Sequence, residues 1–392
     1  MRVFFSAGEA SGDASGAALA RELRNLLPAG ADIRFQAVGG KLLREAGAEI
    51  VVDSTGWGAI GLVQSIRVGP RVVPGIMRAR AALASGEPGV FIPIDFGLVN
   101  CRLARHAKRH GWKVLYYFPP GSWRRDRQGA DLPSFCDEIV TPFFWSAETL
   151  RRMGANAHCF GHPIKQMVKE RERELLDAGQ EDRVTIAVLP GSRRSEIEMH
   201  LPIIAKALQG QSRVAEFSVA PTFSPEAMRE RWLSLAPERT EDRFTPNDAA
   251  GVLFRARTGI VCSGTATLEA ALCVCPHVVI YVVSKLAEFE AKLLGFKVDF
   301  IAQPNILLGK EAVPELIQGK ATPENLREKL GVLLQESEER RQQIWAFMEL
   351  DALLGPPDAI TKTAEVALRM LNGERAEEAV PEVEPAEAGR QS

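Results

Sequence analysis

The chain has 392 residues, 46% hydrophobic and 25% charged, which excludes a fibrous or wholly disordered protein. At roughly 100–200 residues per domain, two domains are expected. The net charge is −2, and the stretch from Glu374 to Ser392 holds six Glu against two Arg, so the rest of the chain is only mildly basic, at +2. That is not the excess of a dedicated nucleic-acid binder, and no nucleic-acid partner is expected. Six cysteines, at 101, 136, 159, 262, 273 and 275, are too sparse for a disulfide framework. Cys273 and Cys275 lack a second pair or a histidine cluster, so no metal site is expected.

Arg2 opens an apolar run too short for a signal-peptide core, and no run of about 18 uncharged apolar residues follows. A cytoplasmic protein is expected, with association at a membrane surface left open. Strand-like apolar runs cover residues 2–7, 33–38, 90–94, 113–118 and 138–141, and helical spacing covers 15–27 and 99–110. A second series of strands runs through 184–189, 214–220, 259–262 and 278–283, again with helices between. Such alternation predicts an α/β protein with two doubly wound, parallel-sheet domains facing a cleft. The charge-rich stretch 165–182 suits a linker. The expected division is 1–165, 166–345, a C-terminal helical segment 346–372, and an acidic tail 373–392 that is disordered.

Four strand-to-helix loops carry chemistry. Gly8-Glu9-Ala10-Ser11-Gly12-Asp13 offers close backbone approach and helix-start amides to a ligand, though Asp13 could simply cap a helix. Asp95 closes the run 90–94; a carboxylate there is either a general base or a helix cap. Leu189-Pro190-Gly191-Ser192-Arg193-Arg194-Ser195-Glu196 supplies arginines and helix amides for phosphate oxygens. Ser263-Gly264-Thr265-Ala266-Thr267-Leu268-Glu269 makes a diphosphate cradle, with Glu269 one turn in, placed to accept hydrogen bonds from two ribose hydroxyls. Neither a dinucleotide fingerprint nor a P-loop is present.

Residues 8–13, 189–196, 263–272 and 304–309 through 313–316 resemble, in order and spacing, the signature segments of the lipid-A-disaccharide synthase family. Gly161-His162-Pro163 and Val278-Val279-Ile280-Tyr281 also fit, and the resemblance runs from Met1 to the mid-300s. It implies two Rossmann-like domains in the GT-B arrangement and an inverting, membrane-associated glycosyltransferase. The family moves 2,3-diacylglucosamine from UDP to 2,3-diacylglucosamine 1-phosphate, making the β-1,6 disaccharide and releasing UDP. The resemblance implies no metal for donor binding and no cofactor. Asp95 then corresponds to the base. Ser192, Arg193, Ser263, Gly264, Thr265, Thr267 and Glu269, with Asn305 and Glu315, fall on the donor side. Glu9, Ser11, Gly12 and Asp13 fall on the acceptor side. The implied partners are the two acylated sugars and the cytoplasmic face of the inner membrane; a homodimer is compatible.

The chain departs from the family pattern at Leu98, where a second Asp is expected, and at Val282, where a basic residue is expected. It departs again at Gln64, which replaces a Glu, and across 121–127, where one tryptophan survives. Most of these lie in the acceptor half. A UDP-sugar transferase with another acceptor, a UDP-sugar epimerase and an inactive UDP-sugar-binding homologue are the alternatives. Apolar residues and arginines between Trp57 and Ala84 suggest an interfacial patch, since the glycines and prolines there disfavour one continuous packed helix.

Overall fold

The computed structural model describes residues 1–28, 30–57, 62–122, 131–179, 183–284, 288 and 299–374. Two units emerge, each built on one parallel sheet. In the first, β1 (Arg2–Ala7), β2 (Arg34–Gly39), β3 (Glu49–Asp53), β4 (Val90–Ile94), β5 (Lys113–Tyr117), β6 (Glu138–Val140) and β7 (Ala157–His158) lie in the order β3-β2-β1-β4-β5-β6-β7. In the second, β8 (Thr185–Leu189), β9 (Ala215–Val219), β10 (Arg243–Pro246), β11 (Ala256–Cys262), β12 (His277–Tyr281) and β13 (Glu315–Ile317) lie in the order β10-β9-β8-β11-β12-β13. Each sheet reverses direction of growth beside its first strand, between β1 and β4 and between β8 and β11. Those switch points open crevices at the carboxyl ends of the strands.

Continuous apolar runs become central strands because helices cover both faces of a parallel sheet. Phe4 packs one face of β1, its ring 5.9 Å from Phe91 and 6.2 Å from Trp112, while Phe5 meets Phe35 at 5.6 Å on the other. In the second unit, Phe217 lies 4.7 Å from the Trp232 ring, whose Nε1 donates to the buried Asp242 at 2.9 Å.

Three expectations change. The first helix, α1 (Ala10–Leu26), starts five residues before position 15, because Gly12 lets the first turn settle close against β1, where a Cβ would stand 3.3 Å from the Ala7 Cβ. After α2 (Lys41–Glu45), the segment rich in Gly and Pro forms one helix, α3 (Leu62–Leu83), with Pro70 and Pro74 inside it. Val72 and Ile76 pack against the core, and Ala79 and Leu83 are buried. Gly75 admits the Trp57 ring, which a Cβ would meet at 2.5 Å. That burial offsets a proline cost of about 3 kcal/mol each. Ile60 and Gly61 lie outside the described residues. Third, much of the charge-rich stretch 165–182 is helical. After α4 (Gly97–Arg109) and α5 (Phe144–Arg152), α6 (Pro163–Asp177) carries the chain past the boundary at Gln166.

The second unit continues through α7 (Arg194–Ala207), α8 (Pro225–Leu235), α9 (Ala249–Phe254), α10 (Thr265–Leu272), α11 (Gln303–Leu308), α12 (Pro323–Leu334) and α13 (Glu338–Leu353). Residues 353–374, including α14 (Ala359–Asn372), then belong to the first unit. There Thr361 Oγ1 donates to Glu22 of α1 at 2.8 Å, and the Ile360 amide donates to Gln166 Oε1 at 2.8 Å. The Gly161-His162-Pro163 segment clamps this return: the His162 amide donates to Leu354 O at 2.8 Å. Gly161, at φ +100°, has no room for a Cβ, which would stand 2.6 Å from Pro356 O. Burial between the Phe118 and Phe143 rings lowers the His162 imidazole to about 3.

Candidate active site

At the first switch point, β4 runs into two consecutive left-handed residues, Asp95 and Phe96, both at φ 46°. Such non-glycine conformations cost on the order of 1–3 kcal/mol each and persist only when their surroundings over-determine them. Here the Asp95 amide donates to Tyr117 O at 3.1 Å. The Asp95 carbonyl accepts from Tyr116 Oη at 3.1 Å and from Asn100 Nδ2 at 2.9 Å. Asn100, wholly buried, also reaches Ser6 O at 2.9 Å and Ile94 O at 3.0 Å, and accepts from Ser6 Oγ at 2.6 Å. It therefore pins the ends of β1 and β4 together. The Phe96 ring lies against Gly8, where a Cβ would be 2.3 Å from the ring, so only glycine fits.

The Asp95 side chain reaches solvent, and no protein side chain holds it by a hydrogen bond among the described residues. Desolvation by the surrounding protein pushes its carboxyl above the usual range, the Glu9 carboxylate adds to this, and the Phe96 amide opposes both. An accessible carboxylate of raised basicity suits proton abstraction. Glu9 and Ser11 also face solvent at the start of α1, whereas Gly12 and Asp13 are buried. Asp13 caps a helix, though not its own: it accepts from the amides of Gly40 at 2.6 Å and Leu42 at 2.9 Å, at the start of α2. Leu98 stands 73% exposed on the first turn of α4. Residues Trp123–Arg127 lie outside the described residues.

At the second switch point, Gly191 takes φ +121°, and Glu196 folds back to accept from the amides of Ser192 at 3.2 Å and Arg193 at 3.1 Å. Arg193 Nη1 donates to the same carboxylate at 2.8 Å. Glu196 is buried and Arg193 half-exposed, so the guanidinium is braced from behind. Across the switch point, Gly264 adopts φ +136° with open space around it. Ser263 Oγ donates to Ile301 O at 2.9 Å, and Thr267 Oγ1 donates to Gly264 O at 2.8 Å while accepting from the Gln303 amide at 3.1 Å. The Ser192 and Thr265 hydroxyls have no partner among the described residues, leaving both open to a ligand. Burial raises the Glu269 carboxyl to about 7, helped by the Asp248 carboxylate and opposed by the Ala250 amide.

Asn305 and Glu315 are brought together rather than opened outward. Asn305 Nδ2 donates to Val313 O at 2.9 Å and Glu315 Oε1 at 2.8 Å, and its Oδ1 accepts from the amides of Ala312 and Val313 at 2.8 and 2.9 Å. Glu315 in turn accepts from the Ile301 amide at 3.1 Å and the Ala302 amide at 2.9 Å, fixing the backbone that leads into α11. Sequence reasoning passed over Asn100 and His200. His200 lies between Ile197, Leu201 and Ile204 on the apolar face of α7, where a histidine reads as core.

The two switch-point crevices define a class. At TM-score 0.60 and 10% identity, covering 95% of this chain and all of the other, the fold is similar to UDP-GlcNAc 2-epimerase from Neisseria meningitidis. At TM-score 0.54 and 13% identity, over 94% and 98% of the two chains, it is similar to the calicheamicin glycosyltransferase CalG4. The architecture is that of GT-B glycosyltransferases and their epimerase relatives. The sequence narrows it further. The family pattern of lipid-A-disaccharide synthetase matches residues 3–357, and the chain belongs to that family. The lipid-A-disaccharide synthase of Nitrosococcus oceani is 33% identical to it over 94% of this chain and 96% of its own length; that of Syntrophus aciditrophicus is 32% identical over 94% and 97%.

Proposed function

We propose that this chain transfers 2,3-diacylglucosamine from its UDP donor to 2,3-diacylglucosamine 1-phosphate, forming the β-1,6 lipid A disaccharide 1-phosphate and UDP. Family membership over nearly the whole chain carries the reading. In the proposed mechanism, Asp95 takes the proton of the acceptor 6-hydroxyl as that oxygen attacks the donor's anomeric carbon. The bond from that carbon to the diphosphate breaks, UDP leaves with the electron pair, and the configuration inverts. Arg193, the open hydroxyls of Ser192 and Thr265, and the start of α10 at Gly264 take up the charge developing on the diphosphate. Glu269, once ionised, accepts from the ribose hydroxyls. Ser263, Thr267, Asn305 and Glu315 hold the donor loops in shape. Glu9 and Ser11 meet the acceptor, with Gly12 and Asp13 setting their position.

Both substrates carry acyl chains, so the reading includes peripheral attachment at the cytoplasmic face of the inner membrane. Val73 and Met77 stand 56% and 66% exposed on α3 beside the exposed Arg78 and Arg80, and this supports an interfacial contact. No helix among the described residues is long and apolar enough to cross a membrane. Val72 and Ile76 face the core instead, which removes them from the patch. A homodimer is compatible with the reading and not required by it; no nucleic acid and no cofactor enter it.

Incubation with diacylated donor and acceptor, read by mass spectrometry, tests the proposal. Disaccharide 1-phosphate and UDP are expected. Transfer only to an unacylated or different acceptor would reassign the substrate, and a changed sugar configuration with donor alone would make the chain an epimerase.

A further inference from the structure

His200 is fully buried, yet neither ring nitrogen is idle. Nδ1 lies 2.7 Å from Pro190 O, and a carbonyl can only accept, so Nδ1 carries the proton. Nε2 lies 3.0 Å from the Val282 amide, which can only donate, so Nε2 is bare. Two backbone groups of fixed polarity thus select one neutral tautomer. Burial lowers the basicity of the ring in the same sense, against the Pro190 bond and the Glu196 carboxylate.

The two partners lie on different loops. Pro190 follows β8 and begins the turn that presents Ser192 and Arg193, while Val282 follows β12, with β11 between those strands in the sheet. Glu196 braces that turn from one side through the Ser192 and Arg193 amides. His200, one helical turn further along α7, anchors its root at Pro190 to the far side of β11. The turn is therefore fixed at both ends by side chains of a single helix.

We propose that His200 is a positioning residue for the donor diphosphate: its neutral ring, bridging Pro190 and Val282, holds the Pro190–Arg193 turn where Arg193 and the loop hydroxyls can meet the phosphates. This rests on the reading of the second unit as the UDP site. His200 itself touches no substrate. Its removal acts on donor binding through the turn, and leaves the acceptor and the proton transfer at Asp95 alone.

The experiment compares the full-length chain with H200F, which keeps a ring and loses both bonds, and with H200N and H200Q, each able to restore one. UDP is titrated by calorimetry, and KM for each substrate and kcat are measured. For H200F, the UDP Kd and the donor KM are expected to rise roughly 10-fold and kcat to fall by no more than that, because the same turn meets the charge on the leaving diphosphate, with acceptor KM within about 2-fold. At least one of the amide variants is expected to recover part of the loss. A folded H200F with unchanged UDP Kd and donor KM overturns the proposal, and so does a rise in acceptor KM as large as the rise in donor KM. If H200F does not fold, H200N and H200Q are judged by the same split. Absence of UDP binding to the unmodified chain would overturn the site reading itself; binding there with unchanged variants overturns His200 alone.

Discussion

The two switch points solve opposite problems. In the first unit the backbone is strained and the functional side chain is left to solvent: Asp95 and Phe96 are both left-handed, held by Asn100 and Tyr116 through main-chain atoms. In the second unit polar side chains hold the binding loops: Glu196, His200, Asn305 and Glu315 each bond to backbone amides or carbonyls, and Glu196 to Arg193 and Asn305 to Glu315 besides. A group that must exchange a proton needs a fixed root and a free tip. A surface that must match a diphosphate needs fixed amides, and polar staples provide them.

The largest effect is expected where this contrast is sharpest. Asp95→Asn should lower kcat by about 10²–10⁴-fold while leaving UDP affinity within about 2-fold. Full turnover in that variant, measured by product formation, would remove Asp95 as the base.

Replacing a staple should do the reverse. Asn305→Ala leaves the Ala312 and Val313 amides and the Glu315 carboxylate short of partners, so about 2–3 kcal/mol of stability should be lost in denaturant unfolding. Ser11→Ala, at an exposed position in the first unit, should stay within about 0.5 kcal/mol. Equal losses in both variants would break the comparison.

Proton linkage at Glu269 is a finer probe. With its carboxyl raised to about 7, the free protein holds a proton that ionic binding of ribose must expel, so UDP should bind roughly 10-fold more weakly at pH 6 than the fully ionised protein does. Glu269→Gln should flatten that dependence in calorimetric titrations. The sign for stability follows from the same shift. A folded carboxyl raised above its unfolded value favours the folded state most below about pH 4.5, and that contribution fades as pH rises through about 7.

The smallest effect concerns the exposed apolar residues of the first unit. The double change of Val73 and Met77 to Ser should weaken binding to anionic liposomes about 3- to 10-fold, with binding also falling as salt rises. Serine at Val72 and Ile76 should instead lower thermal stability, since those side chains pack inward. Liposome binding that survives the first pair would move the membrane contact elsewhere.

What the sequence revealed has a physical pattern. The nine strands legible in it are the central ones, buried on both faces and so written as continuous apolar runs. The four it hid, β3, β7, β10 and β13, are the edges of the two sheets, where the exposed side dilutes the signal. The site loops were legible because glycine, hydroxyl and charged residues gather where a strand turns into a helix. The staples behind them were not. A buried His200 or Asn100 differs from a packing residue only by its distant partners, and Asp13 shows the same limit, because spacing cannot say which helix it caps. Nor could periodicity foresee that α3 would absorb two prolines, since the compensating contacts come from Trp57 and the sheet.

The return of residues 353–374 to the first unit has a consequence for how the chain is made. A ribosome releases the first sheet early, but the helix that covers α1 is among the last pieces translated. The roughly 190 intervening residues take on the order of 10–40 s to synthesise at bacterial or eukaryotic rates. The second unit, all but residues 60–63 of it drawn from the single stretch Met167–Ala352, can finish folding while the first still shows the bare flank of α1 to the cell. The part synthesised first is thus the part completed last, and a chain cut short before α14 would leave that flank as a handle for chaperones and proteases.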